Sequence, residues 1–237
     1  MSAEQLLIAA ATVAFAAFVQ GASGLGFALI VAPVLIMLQP ELLPVCVLFL
    51  MLPLNAYVAW REKHAIDVRG VGWIGLGRFV GTFGGLAVLA FLSANALAIF
   101  VGASTIAAAV VTWFIPAFAP GILAFLAAGL ITGITETATG IGGPPLALTL
   151  QHRPVAEMRA TIAVCFLVGE VISLIMLFLL GKIQPMHLQA TLQLLPALAV
   201  GMFASRFVHH RINARFMRWF VQAFAIVSGA VLLIKAI

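Results

Sequence analysis

The chain has 237 residues, 64% of them hydrophobic and only 8% charged, with a formal net charge of +5 and a mean hydropathy of +1.22. A soluble domain carries about 25% charged residues to cover its surface, and a disordered chain is polar throughout, so both classes are excluded. The positive excess would point to nucleic acid in a soluble protein, but here the basic residues sit in short breaks between apolar runs, where they read as topology markers in a lipid bilayer with no nucleic-acid partner.

In chain order the apolar blocks are 5–38, 42–60, 70–91, 95–115, 121–151, 159–181, 186–207 and 213–234. They are continuous rather than alternating, which predicts helices and not a β-barrel. The expectation is an all-α polytopic membrane protein, one transport domain over 1–237. The acidic start, Met1-Ser2-Ala3-Glu4-Gln5, lacks the basic region of a signal peptide, so the first block is expected to be retained. Cys46 and Cys165 lie inside apolar runs without C-x-x-C spacing, which supports neither a disulfide framework nor a metal site. No cofactor is implied, and self-association into a homo-oligomer is compatible with the sequence.

Two blocks are too long for one crossing: residues 5–38 as a single helix would extend about 51 Å against a hydrocarbon core of about 30 Å. Each is broken inside. The first contains Gln20-Gly21-Ala22-Ser23-Gly24-Leu25-Gly26, and the second Glu136-Thr137-Ala138-Thr139-Gly140-Ile141-Gly142-Gly143-Pro144-Pro145. A shift of 116 residues pairs Gln20 with Glu136, Ser23 with Thr139, Gly24 with Gly140 and Gly26 with Gly142. Further on, a shift of 120 makes Val80, Gly81, Phe83 and Val88 identical to their partners. The chain therefore reads as a duplicated unit, repeat 1 over about 5–115 and repeat 2 over about 121–234.

Charge decides how the broken blocks run. If both cross fully, the loop cations divide almost evenly between the two sides. If each instead dips in and returns as a hairpin of two short helices, Arg61, Lys63, Arg69, Arg153, Arg159, Arg206, Arg211, Arg215 and Arg218 share one side against Lys182 and Lys235. The positive-inside rule favours the second layout. It gives six full transmembrane helices plus two re-entrant or broken-helix hairpins, termini periplasmic, in an inner membrane. Three crossings per half also invert the second repeat relative to the first, as in many secondary transporters.

Backbone that leaves the helix at membrane depth is tolerated only where protein or a cavity satisfies it. The breaks therefore mark a candidate anion site, with amides at half-helix ends and the hydroxyls of Ser23, Thr137 and Thr139 as donors; Gly24, Gly26, Gly140, Gly142 and Gly143 supply the open backbone, with Gln20 beside them. The plainer alternative is that these glycines only let helices pack closely. Glu170 near the centre of 159–181 and Glu136 at the second break offer a proton-coupling route, Asn55 standing nearly where Glu170 stands in the other half. Arg78, deep in 70–91, is expected either to pair with Glu136, Glu170 or an anion, or to snorkel toward the cytoplasmic side.

The tetrad Gly21-Ala22-Ser23-Gly24 also has the G-x-S-G form of an intramembrane serine protease. Such a serine needs a base within reach. His64, His152, His187, His209 and His210 all fall in loops or at span ends, and the duplicate motif carries Thr139 in place of Ser23. Proteolysis is the weaker alternative, and the chain is expected not to be an enzyme.

On the residues Gln20 to Phe27 (Q-G-A-S-G-L-G-F), Thr139 to Pro145 (T-G-I-G-G-P-P) and the two-fold hydrophobic layout, the sequence resembles the sulfite exporter TauE/SafE family over almost its whole length. The resemblance implies secondary transport of small anions, especially sulfite and sulfonates, often outward across the bacterial inner membrane. Only Pro116 to Pro120 separates the halves, a shorter link than in many members.

Overall fold

The computed structural model describes residues 1–114, 120–150 and 153–208, with short helical stretches between 219 and 234. His152, His209, His210, Arg211, Arg215, Arg218 and Lys235, together with most of the last apolar block, lie outside the described residues. The elements are α1 (Ala3–Ser23), α2 (Phe27–Leu38), α3 (Val45–Arg61), α4 (Val68–Phe91), α5 (Ala94–Phe114), α6 (Ile122–Thr139), α7 (Gly143–Leu150), α8 (Val155–Leu179) and α9 (Pro185–Val208). Among the described residues there is no strand. In hydrocarbon the backbone must satisfy its own hydrogen bonds, and a helix does so within one segment.

Among the described residues five helices, α1, α4, α6, α8 and α9, are long and apolar enough to cross a membrane. The hairpins differ from the sequence expectation here. Their first arms, α1 with 21 residues and α6 with 18, are of crossing length, and only the second arms, α2 with 12 and α7 with 8, are short. The breaks are also narrower than the composition indicated, because Gln20 to Ser23 and Glu136 to Thr139 remain helical.

Both breaks are built the same way. Gly24 and Gly140 adopt φ of 86° and 81°, a left-handed conformation that costs side-chain-bearing residues energy, and each donates its N–H to the carbonyl four residues back, Gln20 O or Glu136 O, at 2.7 Å. Ser23 Oγ donates to Val19 O at 2.8 Å and accepts from Leu25 N; Thr139 Oγ1 donates to Thr135 O at 2.7 Å and accepts from Ile141 N.

Three contacts fix the direction of the arms. Gln5 Nε2 donates to Leu38 O at 3.2 Å, so α2 ends beside the start of α1 and the first hairpin returns to the face it left. His187 Nδ1 accepts from Gln184 N, which leaves Nε2 to donate to Glu41 O at 2.7 Å and puts the start of α9 on that same face. On the opposite face Arg153, after α7, pairs with Asp67, before α4, at 3.3 Å.

Close approach between helices comes from small residues. A Cβ at Gly77, Gly81 or Gly85 of α4 would run into Leu126 O, Leu130 O or Ile134 O of α6, and one at Gly129 or Gly133 of α6 would run into Ile74 O or Arg78 O of α4. The register advances together, so the two helices run parallel with backbones in contact, the small-residue packing that substitutes for hydrophobic drive in lipid. Helices α1 and α9 pack likewise, with Gly201 against Ala14 O and Gly21 against Ser205. Between these pairs a core of Phe27, Ile30, Leu50, Leu54, Leu146 and Phe166 fills the centre. Leu7, Phe91, Leu123 and Phe178 face outward, where the bilayer is their solvent. Cys46 and Cys165 are buried and free.

Candidate functional site: the meeting of two hairpin tips

The first tip is tied down by one amide. Gln20, in the last turn of α1, accepts from Phe27 N through Oε1 at 3.0 Å, which clamps the start of α2, and donates through Nε2 to Asn55 Oδ1 of α3 at 2.9 Å. Asn55 Nδ2 in turn donates to Glu170 Oε1 of α8 at 2.6 Å. All three side chains are at most 2% exposed. Because a buried amide left unpaired is costly, the chain Gln20–Asn55–Glu170 fixes the break relative to the two central helices. The sequence pointed to Asn55 and Glu170 as counterparts; the structure joins them directly.

The second tip holds a buried ion pair. Arg78 of α4 lies 2.8 Å from Glu136 Oε2 of α6, the two side chains being 1% and 0% exposed. Of the two expectations for Arg78, pairing is the one observed, and snorkelling is not. Its guanidinium stands 5.5 Å over the Phe166 ring and fills the space a Cβ at Gly169 of α8 would need, one residue from Glu170. The Glu136 carboxylate abuts the break itself, since a Cβ at Gly142 would collide with it, and Thr132 Oγ1 donates to Gly142 O at 3.0 Å. Behind it the Thr137 and Ser173 hydroxyls are 2.7 Å apart. Arg78 Nε and Nη1, Glu136 Oε1 and Glu170 Oε2 make no hydrogen bond while shielded from solvent, and Glu136 Oε2 is engaged by Arg78. One cation thus stands beside two carboxyls, with polar atoms still available.

The tips meet. A Cβ on Gly143, the first residue of α7, would lie 3.2 Å from Leu25 Cδ2 and 3.8 Å from Phe166. Helix α7 starts Gly143-Pro144-Pro145, so two positions of its first turn have no N–H to offer. The hydroxyls of Ser23 and Thr139, expected to face an anion, donate to the carbonyls of their own turns; no histidine is among the hydrogen-bond partners of Ser23.

Sequence reasoning missed one group. Arg61 Nη2 donates to Gly21 O at 3.0 Å and Arg159 Nη1 to Ala22 O at 3.3 Å, so two arginines taken as topology markers grip the end of α1. The available signal was physical rather than local: a helix that ends inside a protein leaves carbonyls that favour a cation, but nothing in the spacing says which one reaches.

A family model described as Sulfite exporter TauE/SafE matches residues 9–232. No curated protein and no solved structure matches. With the match spanning nearly the whole chain, over helices built to cross a membrane and broken at the two places that carried the resemblance, the chain belongs to the sulfite exporter TauE/SafE family of membrane transporters.

Proposed function

We propose that the chain is a proton-coupled secondary transporter of a small oxyanion, sulfite or a short organosulfonate, which it binds where the two hairpin tips meet. The observation that carries this reading is the juxtaposition at Leu25 and Gly143 of two broken helices beside the buried group Arg78, Glu136 and Glu170. Irregular backbone next to buried ionisable side chains at membrane depth is the usual construction of a transport site. Arg78 supplies the positive field for an anion, and its unpaired Nε and Nη1 supply donors. Gln20, Asn55, Thr137 and the glycines at 24, 26, 140, 142 and 143 shape the rest. With Arg78 as the single cation against two carboxyls, a proton taken up at Glu136 or Glu170 compensates the charge that an incoming anion adds.

The same reading makes the fold an inverted repeat. The two breaks share their stereochemistry, and each hairpin packs on the other half: α1 on α9 and α6 on α4, with α3 joined to α8 at the middle. The face bearing Arg61, Lys63, Arg69, Arg153 and Arg159 is then cytoplasmic by the positive-inside rule, and the N-terminus is periplasmic in an inner membrane. Transport is favoured over proteolysis because Ser23 is engaged by its own turn.

Uptake into proteoliposomes tests the reading, comparing sulfite, sulfoacetate, taurine and sulfate with and without a pH gradient. Sulfite or a sulfonate should move faster with the gradient than without it. Movement of a cation or of an unrelated neutral solute, with none of sulfite, sulfoacetate, sulfate or the zwitterionic sulfonate taurine, would overturn the assignment.

A further inference from the structure

Among the described residues, the arginine-rich face carries two ion clusters of opposite excess. In one, Arg153 meets both Asp67, at 3.3 Å, and Glu157, at 3.2 Å, so one cation serves two acids. In the other, Arg159 holds Glu62 with two bonds, Nη2 to Oε1 at 2.6 Å and Nε to Oε2 at 3.1 Å, while Arg61 Nη2 touches the same Oε1 at 3.1 Å. Here two cations share one acid. Arg61 Nε and Nη1 have no hydrogen-bond partner although they are shielded from solvent, and Tyr57 lies 5.5 Å below the guanidinium.

A cap for the end of α1 needs one cation near its last carbonyls. This cluster holds two, with donors left over. It also touches the break: a Cβ at Gly24 would lie 3.1 Å from Arg159 Cβ, so the stem of Arg159 packs directly on the turn between α1 and α2. Two planar guanidinium forks with a positive excess match the geometry of an oxyanion with several equivalent oxygens.

We propose that Arg61 and Arg159 form a recruitment site for the transported oxyanion on the arginine-rich face, where the anion displaces Glu62 before it moves to the meeting of the tips. The proposal rests on the anion-transport reading. When the anion takes the two forks, their bonds to Gly21 O and Ala22 O are released and the first tip loses two of its ties to α3 and α8, the Gln20–Asn55–Glu170 chain remaining. Binding at this station and loosening of the hairpin are then one event.

The test is the KM for ethanesulfonate measured separately from each face, in proteoliposomes of neutral phosphatidylcholine, for the wild type and for Arg61→Gln, Arg159→Gln and Glu62→Gln. Losing a charge-assisted hydrogen bond is worth roughly tenfold or more in affinity. The two arginine variants should therefore raise KM about tenfold on the arginine-rich face and leave the opposite face within about twofold. Glu62→Gln should lower KM on the arginine-rich face, since it removes the competitor. Arg61→Lys and Arg159→Lys keep the charge and lose the fork; they should show a smaller rise on the same face, and they carry the test if a Gln variant fails to assemble. Equal changes on both faces would make the arginines structural and overturn the proposal, as would an unchanged KM. An effect seen only when phosphatidylglycerol is added would assign the forks to a lipid headgroup and overturn it too. A wild type that moves none of ethanesulfonate, sulfite, sulfoacetate and taurine would overturn the transport reading itself, a result visible before any variant is made.

Discussion

Arg78 and Glu136 are the costliest residues in this fold and the most informative. A buried pair contributes little net stability, but losing one partner leaves an uncompensated charge worth about 3–5 kcal/mol. Arg78→Ala should therefore lower thermal stability in detergent sharply, while the double variant Arg78→Ala with Glu136→Ala should recover much of the loss. An additive double variant would mean that the two side chains are not paired. Glu170 calls for the opposite expectation. In Glu170→Gln the side-chain carbonyl can still accept from Asn55 Nδ2, as Oε1 does at 2.6 Å, so the protein should assemble normally. It should lose the pH dependence of transport, because the amide takes up no proton; retained pH dependence, measured as uptake across a pH series, would leave Glu170 a structural role. These residues were legible in the sequence because each is a polar side chain inside an apolar run. Their partners were not. Gln20 bonds to Asn55 and Asn55 to Glu170 across separations of 35 and 115 residues, and no local pattern encodes such contacts. Ser23 and Thr139 were read as open hydroxyls because composition does not reveal that a serine or threonine one residue before a left-handed glycine is drawn into its own turn.

At the scale of helices, the most extensive close packing among the described elements lies between α4 and α6. Gly77, Gly81 and Gly85 recur at intervals of four and face Gly129 and Gly133 at the same interval, which is small-residue packing on both partners. Gly81→Leu would drive a side chain into Leu130 O, and overpacking of this kind costs about 1–3 kcal/mol or more. The variant should unfold at lower temperature, with less folded protein recovered from membranes; Gly72→Leu, where nothing lies within 4 Å of the added Cβ, should be neutral. The glycine spacing was visible in the sequence, but the identity of the facing helix was not, since α6 follows only after α5. The breaks were placed correctly to within a few residues by their glycines. The lengths of the arms were misjudged, because Gln20 and Glu136 look like interruptions in a hydropathy profile yet sit comfortably in the last turn of a helix once their side chains find partners.

For the molecule as a whole, the proposed topology rests on charge. Cysteines placed at His64 and at Lys182 in a Cys46→Ser and Cys165→Ser background should react with a membrane-impermeant thiol reagent from opposite faces. Reaction from the same face would contradict the hairpin layout and the orientation drawn from it. The all-helical membrane class was readable because lipid allows so few architectures, and the proposed orientation rests on a count of arginines, whereas the meeting of the tips depends on how halves separated by more than a hundred residues dock. That meeting is where the anion is proposed to bind. It is tested most directly by a single cysteine at Leu25, beside Gly143, labelled with a small thiol reagent in proteoliposomes while the concentration of ethanesulfonate is raised. Labelling should slow in proportion to occupancy of the proposed transport site, with half-protection near the concentration that half-saturates transport. Unchanged labelling at concentrations that saturate transport would contradict that placement, because the anion would then pass without lying between the tips.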